Sequence, residues 1–132
     1  MSITSRPLPV LVAGGLALAL SGLALAVQDE DLAFDTTEDL YQVCSTPTDA
    51  PEYVATSFAC RGFLEATVQY HDAVSDRKHL KRLVCYGKDV TIADGRAAFV
   101  AWAEANKGDA KLMNETPVVG VIRALAEKYP CR

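Results

Sequence analysis

Cys44, Cys60, Cys85 and Cys131 are the residues of this 132-residue chain whose type and number best suit covalent chemistry. All four lie downstream of a segment that reads as an export signal. An even thiol count in an exported small domain implies a disulfide framework rather than a reactive thiol or a zinc site. The two histidines, His71 and His79, have neither a second histidine nor a Cys-x-x-Cys pair at ligand spacing. His71 beside Asp72 is expected to be a partly exposed helix residue, not half of a catalytic dyad. Thr56 and Ser57 precede Cys60 without the strand-turn-helix elbow of a nucleophilic serine, and no glycine-rich phosphate loop is present. The carboxylates are spread along helix surfaces, as solvated faces are. These patterns predict no catalytic centre, no metal site and no cofactor.

The chain opens on a short polar stretch with Arg6, followed by an apolar run from Leu8 to Leu25 and the small-x-small step Ala24-Leu25-Ala26. That order predicts a signal peptide over residues 1–26, cleaved before Val27. The run is nearly long enough to span a bilayer, but Gly14, Gly15, Ser21, Gly22 and the cleavage step favour removal over a stable membrane anchor. Arg6 is the only charge in that segment, so residues 27–132 are one unit more negative than the −4 of the whole chain. Mild acidity argues against a nucleic-acid partner, which needs a basic face. Residues 27–132 suit one domain, small enough that disulfides add noticeably to its core.

Periodicity then supplies the elements. Thr36-Thr37-Glu38-Asp39 offers hydroxyls followed by carboxylates and predicts a first helix to Cys44, broken by Pro47 and Asp49. Pro51 suits the first turn of a second helix. Val54, Phe58, Leu64, Val68 and His71 fall roughly on its 3.6 period as far as Val74. Gly62 inside it costs about 1 kcal/mol relative to alanine and is expected to mark close approach of another helix. Residues 75–90 read as irregular, with a basic run from Arg77 to Arg82. Thr91-Ile92-Ala93-Asp94 resembles a capping box and opens a third helix to about Ala105. Asn106-Lys107-Gly108-Asp109 stops it. Thr116-Pro117 opens a fourth, with Val118, Val121, Ile122, Leu125 and Tyr129 as its apolar face. No window alternates as a strand does, so the expectation is an all-α, compact bundle of about four helices tied by two disulfides. Trp102, the sole tryptophan, suits either the core or an interface.

Leu40-x-x-x-Cys44, Cys60-Arg61-Gly62-Phe63-Leu64, Cys85 shortly before Val90-Thr91, and Ala124-Leu125 with Tyr129-Pro130-Cys131 form one ordered series. It resembles the Rap/Tai family of immunity proteins associated with type VI secretion over most of residues 37–131. Tyr86-Gly87 stands where the family often has an aliphatic-proline pair, Phe63 replaces a common tyrosine, and Tyr129 replaces a common phenylalanine. The resemblance implies a small helical periplasmic protein, often a homodimer, that binds a secreted cell-wall amidase effector and blocks its active site. A general periplasmic helical binding or chaperone-like protein is the alternative.

Four cysteines allow three connectivities. A hairpin of the last two helices would set the segment before Thr91 beside the segment after Tyr129 and pair Cys85 with Cys131, leaving Cys44 to Cys60. For an inhibitor, the segment from Asn106 to Glu115 is the expected contact surface. Lys107, Asp109 and Lys111 would form a polar rim around apolar Leu112 and Met113. The basic run Arg77 to Arg82 is the second candidate.

Overall fold

Two helices of this protein start in the same way. The Thr36 hydroxyl accepts from Asp39 N at 3.2 Å while the Asp39 carboxylate accepts from Thr36 N at 2.8 Å. Thr91 and Asp94 repeat the exchange at 3.2 and 2.8 Å, so aspartate serves here in place of the usual glutamate. Each such cap is worth about 1 kcal/mol. The computed structural model describes residues 32–132. The signal peptide expected at 1–26 lies outside these residues.

Five helices form among the described residues: α1 Thr37–Cys44, α2 Tyr53–Lys78, α3 Ile92–Asn106, α4 Ala110–Met113 and α5 Pro117–Lys128. The all-α expectation holds, with one helix more than the sequence pattern suggested. The addition is α4, a single turn inside the segment read as a loop. Asp109 makes it: its carboxylate accepts from Lys111 N at 3.0 Å and Leu112 N at 3.3 Å, acting as an N-cap where the sequence suggested only a stop. α2 begins two residues after Pro51 and continues a full turn past Val74, because nothing in 75–78 breaks it. It ends at His79, whose φ of 51° is left-handed and whose N–H donates to Ser75 O.

The core gathers Leu40, Val43, Cys44, Cys60, Leu64, Val84, Phe99, Val121, Ala124 and Leu125. Phe99 is the largest wholly buried side chain. α1 touches each of the other four helices, and α3 packs most extensively on α5. An isolated antiparallel bridge between Val84 and Pro130, with Cys85 N donating to Tyr129 O at 2.9 Å, fastens the segment after α2 to the end of α5.

The close approach expected at Gly62 is not made there. Gly62 lies on the outer side of α2 and a Cβ on it would meet nothing within 4 Å. The glycine that does admit a neighbour is Gly120 of α5, where a Cβ would lie 2.4 Å from both Cγ2 and Oγ1 of Thr37. A glycine in an apolar stripe signals that a close approach is possible, not which surface makes it. Thr37 is held in place by its N–H, which donates to Glu115 O at 2.8 Å, and by its hydroxyl, which donates to the same carbonyl at 3.0 Å.

Both expected disulfides are present, Cys44–Cys60 and Cys85–Cys131, closing separations of 16 and 46 residues. In the loop-entropy model these closures contribute about 3 and 4 kcal/mol. Their surroundings differ. Cys44 and Cys60 are buried, whereas Cys85 is exposed and Cys131 half-exposed.

Two predictions come from this packing. Gly120→Ala should lower unfolding free energy by about 1–3 kcal/mol through overpacking, measured by denaturant titration, whereas an unchanged midpoint would mean that α1 shifts freely. Mild reduction followed by alkylation should label Cys85 and Cys131 before Cys44 and Cys60. Mass spectrometry finding the opposite order would show that the buried bridge opens first.

Candidate functional site

The densest meeting of titratable groups joins the end of α2 to the segment that follows it. His71 Nδ1 and the Asp72 carboxylate lie 3.0 Å apart, and His71 Nε2 accepts from Leu83 N at 3.2 Å. Both ring nitrogens are therefore engaged, and the imidazole has no free position from which to act as a base. Asp72 also accepts from the Tyr86 hydroxyl and from Arg82 Nη1 at 3.4 Å, while Arg82 Nη2 donates to Asp76 at 2.9 Å. The arrangement is a lock that holds residues 82–86 against α2. The His71 side chain is only 9% exposed, less open than its sequence context suggested, because the returning chain covers it.

Burial raises the Asp72 carboxyl, but the hydrogen bonds from Tyr86 and His71 and the charge of Arg82 together outweigh it and leave it below its usual range. Burial first, then the hydrogen bond to Asp72, pushes the Tyr86 phenol up to about 12. The signs follow from linkage. The contribution from Asp72 is present above the ordinary aspartate value of about 3.9 and is lost as the pH falls through its lowered one. That from Tyr86 is present below about 10 and is lost as the pH rises towards about 12. Among the described residues no group of three His, Cys, Asp or Glu side chains is placed to hold a metal ion.

The expected contact segment is divided by the fold. Lys107, Asp109 and Lys111 are exposed. Lys107 lies beside Glu104, which also takes the Tyr41 hydroxyl. Met113 is only 3% exposed, so that half of the expected apolar anchor belongs to the interior, while Leu112 is half-buried. A one-turn helix has an inner side, and Met113 is on it. In the basic run, Arg82 is spent on Asp72 and Asp76, while Arg77, Lys78 and Lys81 stay exposed. Trp102 is half-buried against the core and lines a groove between α3 and α5 of about 530 Å³, floored by Ala97, Ala98, Ala101 and Ala105.

An exposed apolar patch lies beside that segment instead. Leu83, Val118, Val119, Ile122 and Ala126 line a shallow concavity of about 470 Å³, with Arg123 at its side. Leu83 is 57% exposed, and Val118 and Val119 are 41% and 38% exposed. Pro117, Gly120, Val121, Ala124 and Leu125 turn inward, which sends Val118, Val119 and Ile122 towards the other side of α5. The sequence pattern placed Val118 on the core face. The signal for a second face was that Val118, Val119, Ile122 and Ala126 widen the apolar part of α5 beyond one buried stripe. Arg123 grips Glu115 through two hydrogen bonds of 2.7 Å, and this grip lowers the Glu115 carboxyl below its usual value. The end of the 106–115 segment is thereby tied to the edge of the concavity.

Asp72→Asn should bring the Tyr86 phenol down towards about 10, because the carboxylate opposing its ionisation is gone. A tyrosinate absorbance titration in which no phenol moves would show that burial alone sets the Tyr86 value.

The sequence model of the Rap1a immunity proteins matches residues 36–131. No match was found among curated proteins or among solved structures. The matched span takes in every helix of the described residues and all four bridged cysteines, and the chain belongs to the Rap1a immunity protein family.

Proposed function

We propose that this protein is a periplasmic immunity protein that binds a type VI secreted peptidoglycan amidase and occludes its active site. Export on a signal peptide at 1–26 would leave residues 27–132 as the working domain. It acts by binding, with no reaction of its own. The observation that carries this reading is the apolar concavity of Leu83, Val118, Val119 and Ile122, with Arg123 at its side gripping Glu115.

That composition is an apolar centre with a polar rim, the anatomy of a protein–protein contact. The scaffold beneath it is stiff. α5 is packed on α1 and α3, and the Leu83 segment is held by the His71 hydrogen bond and the neighbouring Cys85–Cys131 bridge. A rigid surface loses little ordering entropy on binding, so more of the contact energy survives as affinity. An inhibitor needs this and no catalytic group. In this reading Val118 and Val119, exposed where Met113 is buried, supply the apolar anchor, and exposed Lys107, Asp109 and Lys111 are assigned to the polar rim.

The paired change Val118→Asp and Val119→Asp should weaken binding to the cognate amidase by about thirtyfold or more, as loss of a central anchor does. Lys107→Glu with Lys111→Glu should act mainly on the association rate and its salt dependence. Binding kinetics and protection of cells expressing the amidase in the periplasm read both effects. Variants that fold, bind and protect like the parent would remove this surface from the contact. If no secreted amidase binds the parent, the reading gives way to a general periplasmic protein with another partner.

A further inference from the structure

Two arginines from different helices line one cavity whose wall holds no carboxylate. The cavity, of about 300 Å³, lies between the first half of α2 and the first turns of α3 and is lined by Ser57, Arg61, Thr91, Ile92, Ala93 and Arg96. It shares no residue with the Leu83–Val118–Val119 concavity or with the groove between α3 and α5. Its volume is at the lower end of what small-ligand sites enclose.

Arg96 is held in place before anything binds. Its Nε donates to the Cys44 carbonyl at 2.8 Å, and its guanidinium carbon lies 5.7 Å from the centre of the Tyr53 ring. Those contacts set the plane of the group and leave its two Nη groups without an acidic partner among the described residues. Arg61 is looser. Its side chain is 67% exposed and its Nε is 3.9 Å from Glu65, too far for a hydrogen bond. The start of α3 is not the source of the positive charge, because the Thr91 and Asp94 N–H groups are already taken by each other's side chains.

We propose that this cavity binds the free C-terminal carboxylate of a peptide ending in a small apolar residue. A cleft lined by charge of one sign concentrates the opposite ion, and a fixed guanidinium presents paired N–H groups that match a carboxylate or a phosphate. The remaining wall decides between the two. Ile92 and Ala93 supply an apolar side next to the arginines. A peptide end brings a small side chain to fill it, whereas inorganic phosphate leaves it empty. The Ser57 hydroxyl adds a neutral partner for the last peptide group. So small a cavity takes the end of a chain rather than its middle. This site stands apart from the immunity reading and does not rest on it.

The test is a nuclear magnetic resonance titration of the exported chain with N-acetyl-Ala-Ala, its C-terminal amide and inorganic phosphate. The free acid should shift the Ser57, Ile92 and Ala93 amide signals saturably, and the amide should bind at least about tenfold more weakly, since it leaves the arginines unpaired. Arg96→Lys keeps the charge but loses the fork, and should weaken the acid by a similar factor. Should that change also loosen the hold on Cys44, Ala93→Glu tests the same cavity independently. It sets a carboxylate among the arginines, and the first turn of a helix tolerates an acid, so binding should be lost with the helical circular dichroism unchanged. Absence of a saturable shift, equal binding of acid and amide, tighter binding of phosphate than of the peptide, or an Ala93→Glu variant that binds like the parent would each overturn the proposal. No amidase enters these titrations, so their outcome is independent of whether the immunity reading stands.

Discussion

Thr37 is wedged where α1 begins: its N–H and hydroxyl are both spent on the Glu115 carbonyl, and its side chain presses on the bare backbone of Gly120. The arrangement of the bundle depends on this joint. An eight-residue helix is too short to hold itself together in water, and α1 has only eight residues. It is ordered because one end is pinned to α5 at Thr37 and the other is bridged to α2 through Cys44 and Cys60. Held so, α1 delivers Leu40 and Val43 into the space that α2, α3 and α5 enclose. Arg96 of α3 adds a hydrogen bond of 2.8 Å to the Cys44 carbonyl, satisfying an acceptor that the end of a helix leaves open.

The helices were legible in the sequence where local chemistry and apolar period agreed. Thr36 with Asp39, Thr91 with Asp94, and Thr116 before Pro117 each marked a start that the structure contains. α4 was not legible, because four residues are too few to show a period and Asp109 reads equally as stop or cap. The cysteine pairs followed from a hairpin argument, and both were found. What the sequence could not assign was the direction in which a residue faces. Gly62 and Gly120 look alike in the chain, yet only Gly120 meets a neighbour. Met113 and Val118 are both apolar and close in sequence, yet one is interior and the other exposed. Direction is decided by the packing partner, which is distant in sequence.

A division of labour between the two long-range fasteners explains why the candidate binding surface stays in shape. Leu83 belongs to a stretch with no helix of its own, and such a stretch would ordinarily be mobile. Here a histidine accepts its backbone N–H, an arginine beside it is held by two aspartates, and the bridge at Cys85 follows two residues later. The polar cluster therefore serves shape. Groups that in another setting would be candidates for proton transfer are used to keep an apolar residue exposed at the surface.

The Cys85–Cys131 bridge also changes the topology of the chain. From Cys85 through α3, α4 and α5 to Cys131 the backbone becomes a covalent ring. Lys107, Gly108 and Asp109 form a bend in it, exposed to solvent between two helices. A nick in that bend would open the ring without releasing a fragment, since each half stays joined through sulfur and through the packing of α3 on α5. Such a bend is a natural place for insertion of a peptide or for new chain ends. An immunity protein that must persist beside a secreted effector gains from a scaffold that a single cut does not take apart.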